Sequence, residues 1–398
     1  MEVNIFTLTS ALHNADVIES QSALFLKMIA EHTDVSLNLK GDNFSQYGKA
    51  DADLIFVRTG GTESLFLENF EHVCHGKIYL LTSGENNSLA ASMEILSYIN
   101  SRGLTGEILH GTPSYIGKRI NDIACLSKAR KQLSGSTIGV VGQPSDWLIS
   151  SSVDAEAIRK KLGAALRFIE MDEFLQIYDK TTSVPDLPFK LAECKSEYFQ
   201  GALKIYAVLK VLIKKYHLSA LTLRCFDLLS TIKNTGCLAL SLLNSDGIPS
   251  SCEGDIPALL TMMIGNALFS QSGFQANPSR IDPESGQVLF AHCTVPISMV
   301  KSFVYDTHFE SGIGVALHGE LPCGEATICK VSGDLSRLMV EDVELLNNQY
   351  EKNLCRTQVQ LLAPAAINYF LTNPIANHHI IFTGHHASLI KQFFASLG

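Results

Sequence analysis

The chain has 398 residues, with 31 Lys and Arg against 40 Asp and Glu, for a formal net charge of −9. That length holds two or three domains, each with its own core. The acidic balance argues against a nucleic-acid partner and against an anionic membrane surface, since both need clustered Lys and Arg. The first ten residues, MEVNIFTLTS, carry no basic start and apolar segment of a signal peptide, and apolar runs such as 257–269 are too short to span a bilayer. The cysteines are scattered without any CxxC spacing, which points to reduced thiols in a cytoplasm, most of them small core residues, and away from a zinc thiolate site.

Taken in chain order, NIFTLTS (4–10), DLIFVRTG (53–60) and KIYLLTSG (77–84) read as short strands, and helical patterns follow them, as at 88–102. That alternation predicts a parallel sheet flanked by helices. RTGGTE, 58–63, is a glycine turn leaving a strand or a loop that cradles phosphate. Ser134-Gly135-Ser136 reads as a linker, after which TIGVVG (137–142) starts a second α/β pattern with helices at 154–163 and 199–216 and a strand at 220–226. GVVGQPSDW lacks the G-x-G-x-x-G spacing of a dinucleotide site. Beyond residue 271 the texture turns to strands, VLFAHCTV, VALHGEL, ATICKVSG and HIIFTGH, separated by Gly, Asp and Asn turns. The expected fold class is therefore α/β, with two parallel-sheet, Rossmann-like domains (1–134 and 135–270) and a mainly antiparallel, barrel-like domain (271–398).

Two segments carry candidate chemistry. The tail NPIANHHIIFTGHH, 373–386, holds His378, His379, His385 and His386, and neutral imidazoles suit borderline divalent metals. Paired histidines in a tail are also a common structural feature. Upstream, SSCEGD, 250–255, leads into an apolar helix over 258–269 with Pro257 in its first turn. Glu253 and Asp255 there are either helix-start carboxylates or hard oxygen ligands for a cation. Between the two segments, FQANPSRIDPESGQVLFAHC, 274–293, contains Asn277, Asp282, Glu284 and, at a strand end, His292.

The order CEGD, apolar helix, FQAN, turn, strand ending in HC and then Pro, followed much later by ANH and GH, resembles the L-fucose isomerase and L-arabinose isomerase superfamily. THFESGIGVALHGEL (307–321), CRTQVQL (355–361) and GVVGQPSDWLISS (139–151) fit the same pattern, so the likeness covers mainly the last 180 or so residues. It implies a cytoplasmic enzyme that interconverts a free aldose and its ketose at a divalent metal, usually Mn2+. Carried over by position, Glu253 is a metal ligand and proton-transfer base, His378 a metal ligand, and Asn377 and Arg356 substrate contacts. The third ligand of fucose-type members, an aspartate that also serves catalysis, falls on Asn277; arabinose-type members place a histidine at His292, which makes Glu253, His292 and His378 an alternative set. In this family the first domain of one subunit covers a neighbour's site, which implies a homo-oligomer, trimer or hexamer, with Arg58 and Glu63 able to approach substrate in trans.

The departure at Asn277 bears on the chemistry expected. A proton must leave the carbon beside a carbonyl and return to its neighbour through an enediol, while charge builds on the carbonyl oxygen. Asparagine keeps an oxygen for a metal but cannot take the proton. Asp255, Asp282 or Glu284 could supply the missing acid; otherwise the chain is an altered or inactive sugar-binding member of the family.

Overall fold

Residues rich in β-branched and aromatic side chains set the first sheet. Strands β1 (Glu2–Leu8), β2 (Ser36–Gly41), β3 (Ala52–Val57), β4 (Ile78–Leu81) and β5 (Gly106–Leu109) run parallel in the order β2-β1-β3-β4-β5. Successive strand residues point to opposite faces, and each face has its own helices. Val3, Ile5, Leu54 and Phe56 pack with Ile116, Ile120 and Ile123 of the helix Pro113–Leu133. Phe6, Leu8, Ile55 and Val57 pack with Ala91, Ile95 and Ile99 of the helix Ser88–Ser101. The two edge strands escape the sequence reading for a physical reason: β2 is polar and largely solvated, and β5 has only four residues.

The structure is a computed structural model that describes residues 1–184, 186–187, 194 and 196–397. The chain divides into two compact units, Met1–Lys128 and Ala129–Gly398. The second unit opens with another parallel sheet, β6 (Thr137–Val141), β7 (Ala165–Ile169), β8 (Ala220–Leu223) and β9 (Ser250–Cys252), in the order β7-β6-β8-β9. β8 is shorter than the strand expected over 220–226. Arg224 bonds to Asp146, Asp227 and the carbonyl of Pro144, and the chain turns there into the short helix Asp227–Thr231.

The rest of the second unit is antiparallel. β10 (Phe274–Asp282) and β11 (Gln287–His292) form a hairpin, and β12 (Ser302–Asp306) and β13 (Ala316–Glu320) form a separate ribbon. β14 (Gly324–Val331), β15 (Leu338–Gln349), β16 (Thr357–Leu362) and β17 (His379–Thr383) complete a closed barrel in the order β10-β11-β16-β15-β14-β17. Closure comes from β17, which pairs with both β14 and β10 and leaves no free edge. The helix Ile256–Phe269 is apolar all round, as a buried helix should be, and lies against β14 and β17. One hydrophobic cluster runs from Leu221 and Leu223 of the parallel sheet to Phe274, Phe290, Ile328 and Ile381 of the barrel. No helix among the described residues is long and apolar enough to cross a membrane.

Candidate metal centre and active site

Glu253 follows β9 in a turn that few residues tolerate. Its φ is 65° and that of Gly254 is 73°, so two consecutive residues are left-handed. A Cβ on Gly254 would sit 2.7 Å from the carbonyl oxygen of Gln143 and from Cα of Pro144. Ser145 N–H donates to the Glu253 carbonyl at 3.0 Å, and Cys252 N–H donates to Oε1 of Gln275 at 2.7 Å, which locks the turn on both sides. A left-handed non-glycine residue costs on the order of 1–3 kcal/mol, a strain that persists where surrounding contacts over-determine it. The turn aims the Glu253 carboxylate into a cavity of about 400 Å³, a size suited to a small organic ligand.

His378, just ahead of β17, is fully buried. Its Nδ1 lies 2.8 Å from Oδ2 of Asp255, and Asp255 in turn faces Nζ of the buried Lys330 at 3.4 Å. Asp255 also caps the helix Ile256–Phe269 by accepting from the Ala258 N–H at 2.8 Å. Both sequence readings of the two acids thus find a residue: Asp255 serves the helix, and Glu253 faces the cavity. The bond at Nδ1 turns Nε2 toward Glu253 Oε1, 3.5 Å away, and that buried Nε2 has no hydrogen-bond partner. His292, the last residue of β11, holds Thr294 Oγ1 at 2.9 Å through Nδ1 and points Nε2 at the same Glu253 oxygen, 3.7 Å away. The other Glu253 oxygen accepts from the indole N–H of Trp147 at 2.7 Å.

Burial alone would raise the Glu253 pKa, but the two facing imidazoles outweigh it and hold the carboxyl far below its usual range. For His378 burial acts downward and is overcome by Asp255 and Glu253, which raise the imidazole to about 9. An orphaned buried imidazole nitrogen, a second imidazole and a carboxylate have donor atoms within 4.8 Å of one another. Two nitrogens and an anionic oxygen form a donor set that fits a divalent cation of borderline hardness, with Asp255 and Thr294 orienting the two rings from behind.

The remaining expected residues take varied places. Asn277, on β10, lines the cavity and accepts through Oδ1 from the Asn377 side-chain amide at 3.1 Å, so the two asparagines stand together at its wall. Arg356 is not among the residues that line the cavity; its guanidinium donates to the carbonyl of Thr307 at 2.8 Å and pairs with Asp306 at 3.3 Å. Asp282 ends β10 and Glu284 lies in the exposed turn that follows; Asp282 accepts from Ser285 Oγ at 2.6 Å, and neither lines the cavity. Of the other tail histidines, His379 bonds Tyr369, His386 stacks on Phe269 and His385 is near Glu325. In the first unit Arg58 pairs with Glu19 at 2.8 Å, and Glu63 begins the helix Glu63–Glu68.

Sequence reasoning missed Trp147, Lys330, Thr294, His308 and Glu310. Two of these left a trace: Trp147 is the chain's single tryptophan, and Lys330 is the one charge inside the apolar core of ATICKV. The cavity also has an apolar wall, Phe226 and Leu229 with Cys225, Cys237, Cys293 and Cys355. No disulfide forms among the described residues, and Cys225 and Cys252 meet Sγ to Sγ at 2.9 Å.

Fold and site together define a mixed α/β chain with a closed antiparallel barrel, and a Glu, His, His group able to hold a metal ion at the wall of a small-molecule cavity. No family model matches the chain. Among characterised proteins it is similar to the sulfoquinovose isomerase of Alkalicoccus urumqiensis, 22% identical over 302 residues that cover 70% of this chain and 67% of that protein. It is similar also to the sulfoquinovose isomerase of Priestia aryabhattai, 27% identical over 220 residues, 51% of this chain and 48% of that one. The sulfoquinovose isomerase of Clostridium sp. (strain MSTE9) is 28% identical over 137 residues, 32% of this chain and 30% of its own length. The chain thus matches about two thirds of the first relative and half or less of the others.

Proposed function

We propose that this chain is a metal-dependent aldose–ketose isomerase that acts on a free sugar through an enediol. The observation that carries the reading is the unpartnered Nε2 of His378, buried behind Glu253 and His292, which line a cavity of about 400 Å³. The similarity to proteins named as sugar isomerases supports the reaction class. Glu253, His292 and His378 hold the cation, Mn2+ or another divalent ion, with Asn277 as a fourth candidate ligand through its side-chain oxygen. When bound, such a cation stabilises negative charge on a carbonyl oxygen as a Lewis acid. Glu253 stands at the oxygen end of the reacting carbons, where its carboxylate moves a proton between sugar oxygens; the Trp147 indole fixes its orientation. Asn377, beside Asn277, presents an amide to a sugar hydroxyl, and Arg356 serves the sugar site through the 306–307 segment that it grips.

The substrates this reading favours are L-fucose, L- or D-arabinose, a related deoxy sugar, or the sulfoquinovose for which the relatives are named. It places the active form in the cytoplasm as a homo-oligomer, with residues 135–270 and 271–398 as the two domains that build the site. A second reading, a sugar-binding protein without turnover, draws on Asn277, whose amide cannot take a proton. Metal analysis and ketose formation separate the two. The isomerase binds Mn2+ in calorimetry and converts at least one aldose of a panel containing those sugars, with loss of activity on chelation. Sugar binding without any ketose across that panel, with Mn2+ added, overturns the isomerase reading.

A further inference from the structure

Resting on the isomerase reading, we propose that Glu310 is the proton-transfer group that touches the carbon skeleton of the bound sugar, in place of the acid missing at Asn277. Of the described residues lining the cavity, only Glu253 and Glu310 are carboxylates. Glu253 belongs to the cluster with His292 and His378, so the sugar oxygens that a cation would chelate turn toward it. The hydrogens on carbon then face other parts of the wall, where Glu310 stands. Asn277 cannot accept a proton, while Asp282 and Glu284 lie outside the cavity and Asp255 is committed to His378 and Lys330.

The fold presents Glu310 by a braced loop, residues 307–315, between β12 and β13. Arg356 holds the root of this loop through Thr307 and Asp306. Within it the His308 N–H donates to the Ile313 carbonyl at 3.0 Å, and the Gly312 N–H donates to the His308 carbonyl at 2.9 Å. The His308 ring is fixed by Ser311 Oγ at 3.0 Å and by an edge contact with Phe226. Glu310 sits at the tip of that brace, exposed at the cavity and able to settle on a sugar as it enters. Arg356 is then a positioning residue for Glu310.

The step balances without any outside reagent. The C2–H bond of the open-chain aldose breaks, its proton passes to the Glu310 carboxylate, and its electron pair forms the C1–C2 double bond of the enediol as the C1=O π pair moves onto O1. Glu310 then returns the proton to C1 while the C2–O bond becomes the ketone, and Glu253 moves the hydroxyl proton from O2 to O1. Removing a general acid–base group of this kind typically lowers turnover about 10²–10⁴-fold.

The test uses Mn2+-loaded full chain and whichever of L-fucose, L-arabinose, D-arabinose and sulfoquinovose the wild type converts. Glu310→Gln should lose at least about 100-fold in kcat, and solvent deuterium should no longer enter the sugar carbons, while Mn2+ affinity by calorimetry stays within about twofold. Glu310→Asp should recover part of the loss, and Asn277→Asp placed in the Glu310→Gln background should restore turnover by returning an acid to the cavity. Glu310→Gln turnover within about threefold of wild type overturns the proposal and leaves the isomerase reading standing, as does a double variant no faster than Glu310→Gln. If the wild type converts none of the four sugars, the isomerase reading falls and this inference falls with it.

Discussion

Asp255 has no exposed surface and yet remains ionised: burial pushes its carboxyl up, and the Lys330 charge, the His378 ring and the Ala258 N–H together bring it down to about 2. Its charge is spent on holding the imidazole whose other nitrogen faces Glu253. Asp255→Asn keeps the shape and removes the charge, so it should weaken Mn2+ binding about 10- to 100-fold, read by calorimetry. Lys330→Met leaves a buried carboxylate short of its cation and should cost about 3–5 kcal/mol in urea unfolding. At this scale residue types left four tail histidines and two acids open, and the family resemblance singled out Glu253 and His378, with His292 as an alternative ligand. Residue type alone could not show which acid of the CEGD segment faces the cavity, since that depends on a left-handed turn at Glu253 that no side chain announces. Nor could it place Arg356, whose partners Asp306 and Thr307 lie on a ribbon some fifty residues upstream.

Among the elements, the helix Ile256–Phe269 matters most, because it starts at the Asp255 cap and is clamped along its length by the barrel. Gly265 is the contact point: a Cβ there would come within 2.3 Å of the Phe382 ring on β17. Gly265→Ala raises helix propensity but overpacks this seam, and the overpacking wins by about 1–3 kcal/mol, seen as a lowered urea midpoint. The β-rich runs at 4–10, 53–60, 77–84 and 137–142 each overlap a strand of the structure but run past its end, because buried parallel strands are continuous apolar runs whose limits the flanking residues do not mark. Barrel strand β15 went unread, since its LMVEDVELLNNQ mixes apolar and acidic residues as a strand with one solvated face does. The short β9 went unread too, because three residues with two serines carry no period.

For the molecule as a whole, each unit holds a paired carboxyl with a depressed pKa, and both should lose stability in acid. In the first, the carboxyl of Glu107 is lowered to about 2, chiefly by its paired bonds to Arg119 and with help from Lys77. A depressed carboxyl contributes stability that is fully present above its unfolded value near 4.5 and is lost as pH falls toward about 2. Glu107→Gln should therefore lower the stability of this unit at pH 7 and flatten its pH dependence between those limits, measured by urea unfolding at a series of pH values. The mixed α/β class with a terminal antiparallel barrel was legible from the change of texture near residue 271. The closure of that barrel was not, because it rests on β17 meeting β10 across a long stretch of chain.

That closure also orders events in time. Glu253, His292 and His378 come from segments far apart in sequence, and His378 takes its place only when β17 has zipped to β10 and β14. Joining such distant strands is the slow, entropically demanding stage of folding a closed sheet. A cation captured by the finished site therefore arrives after the rate-limiting barrier. In stopped-flow experiments Mn2+ should leave the refolding rate of the second unit unchanged and slow its unfolding, so that the ion acts as a latch on a barrel already shut.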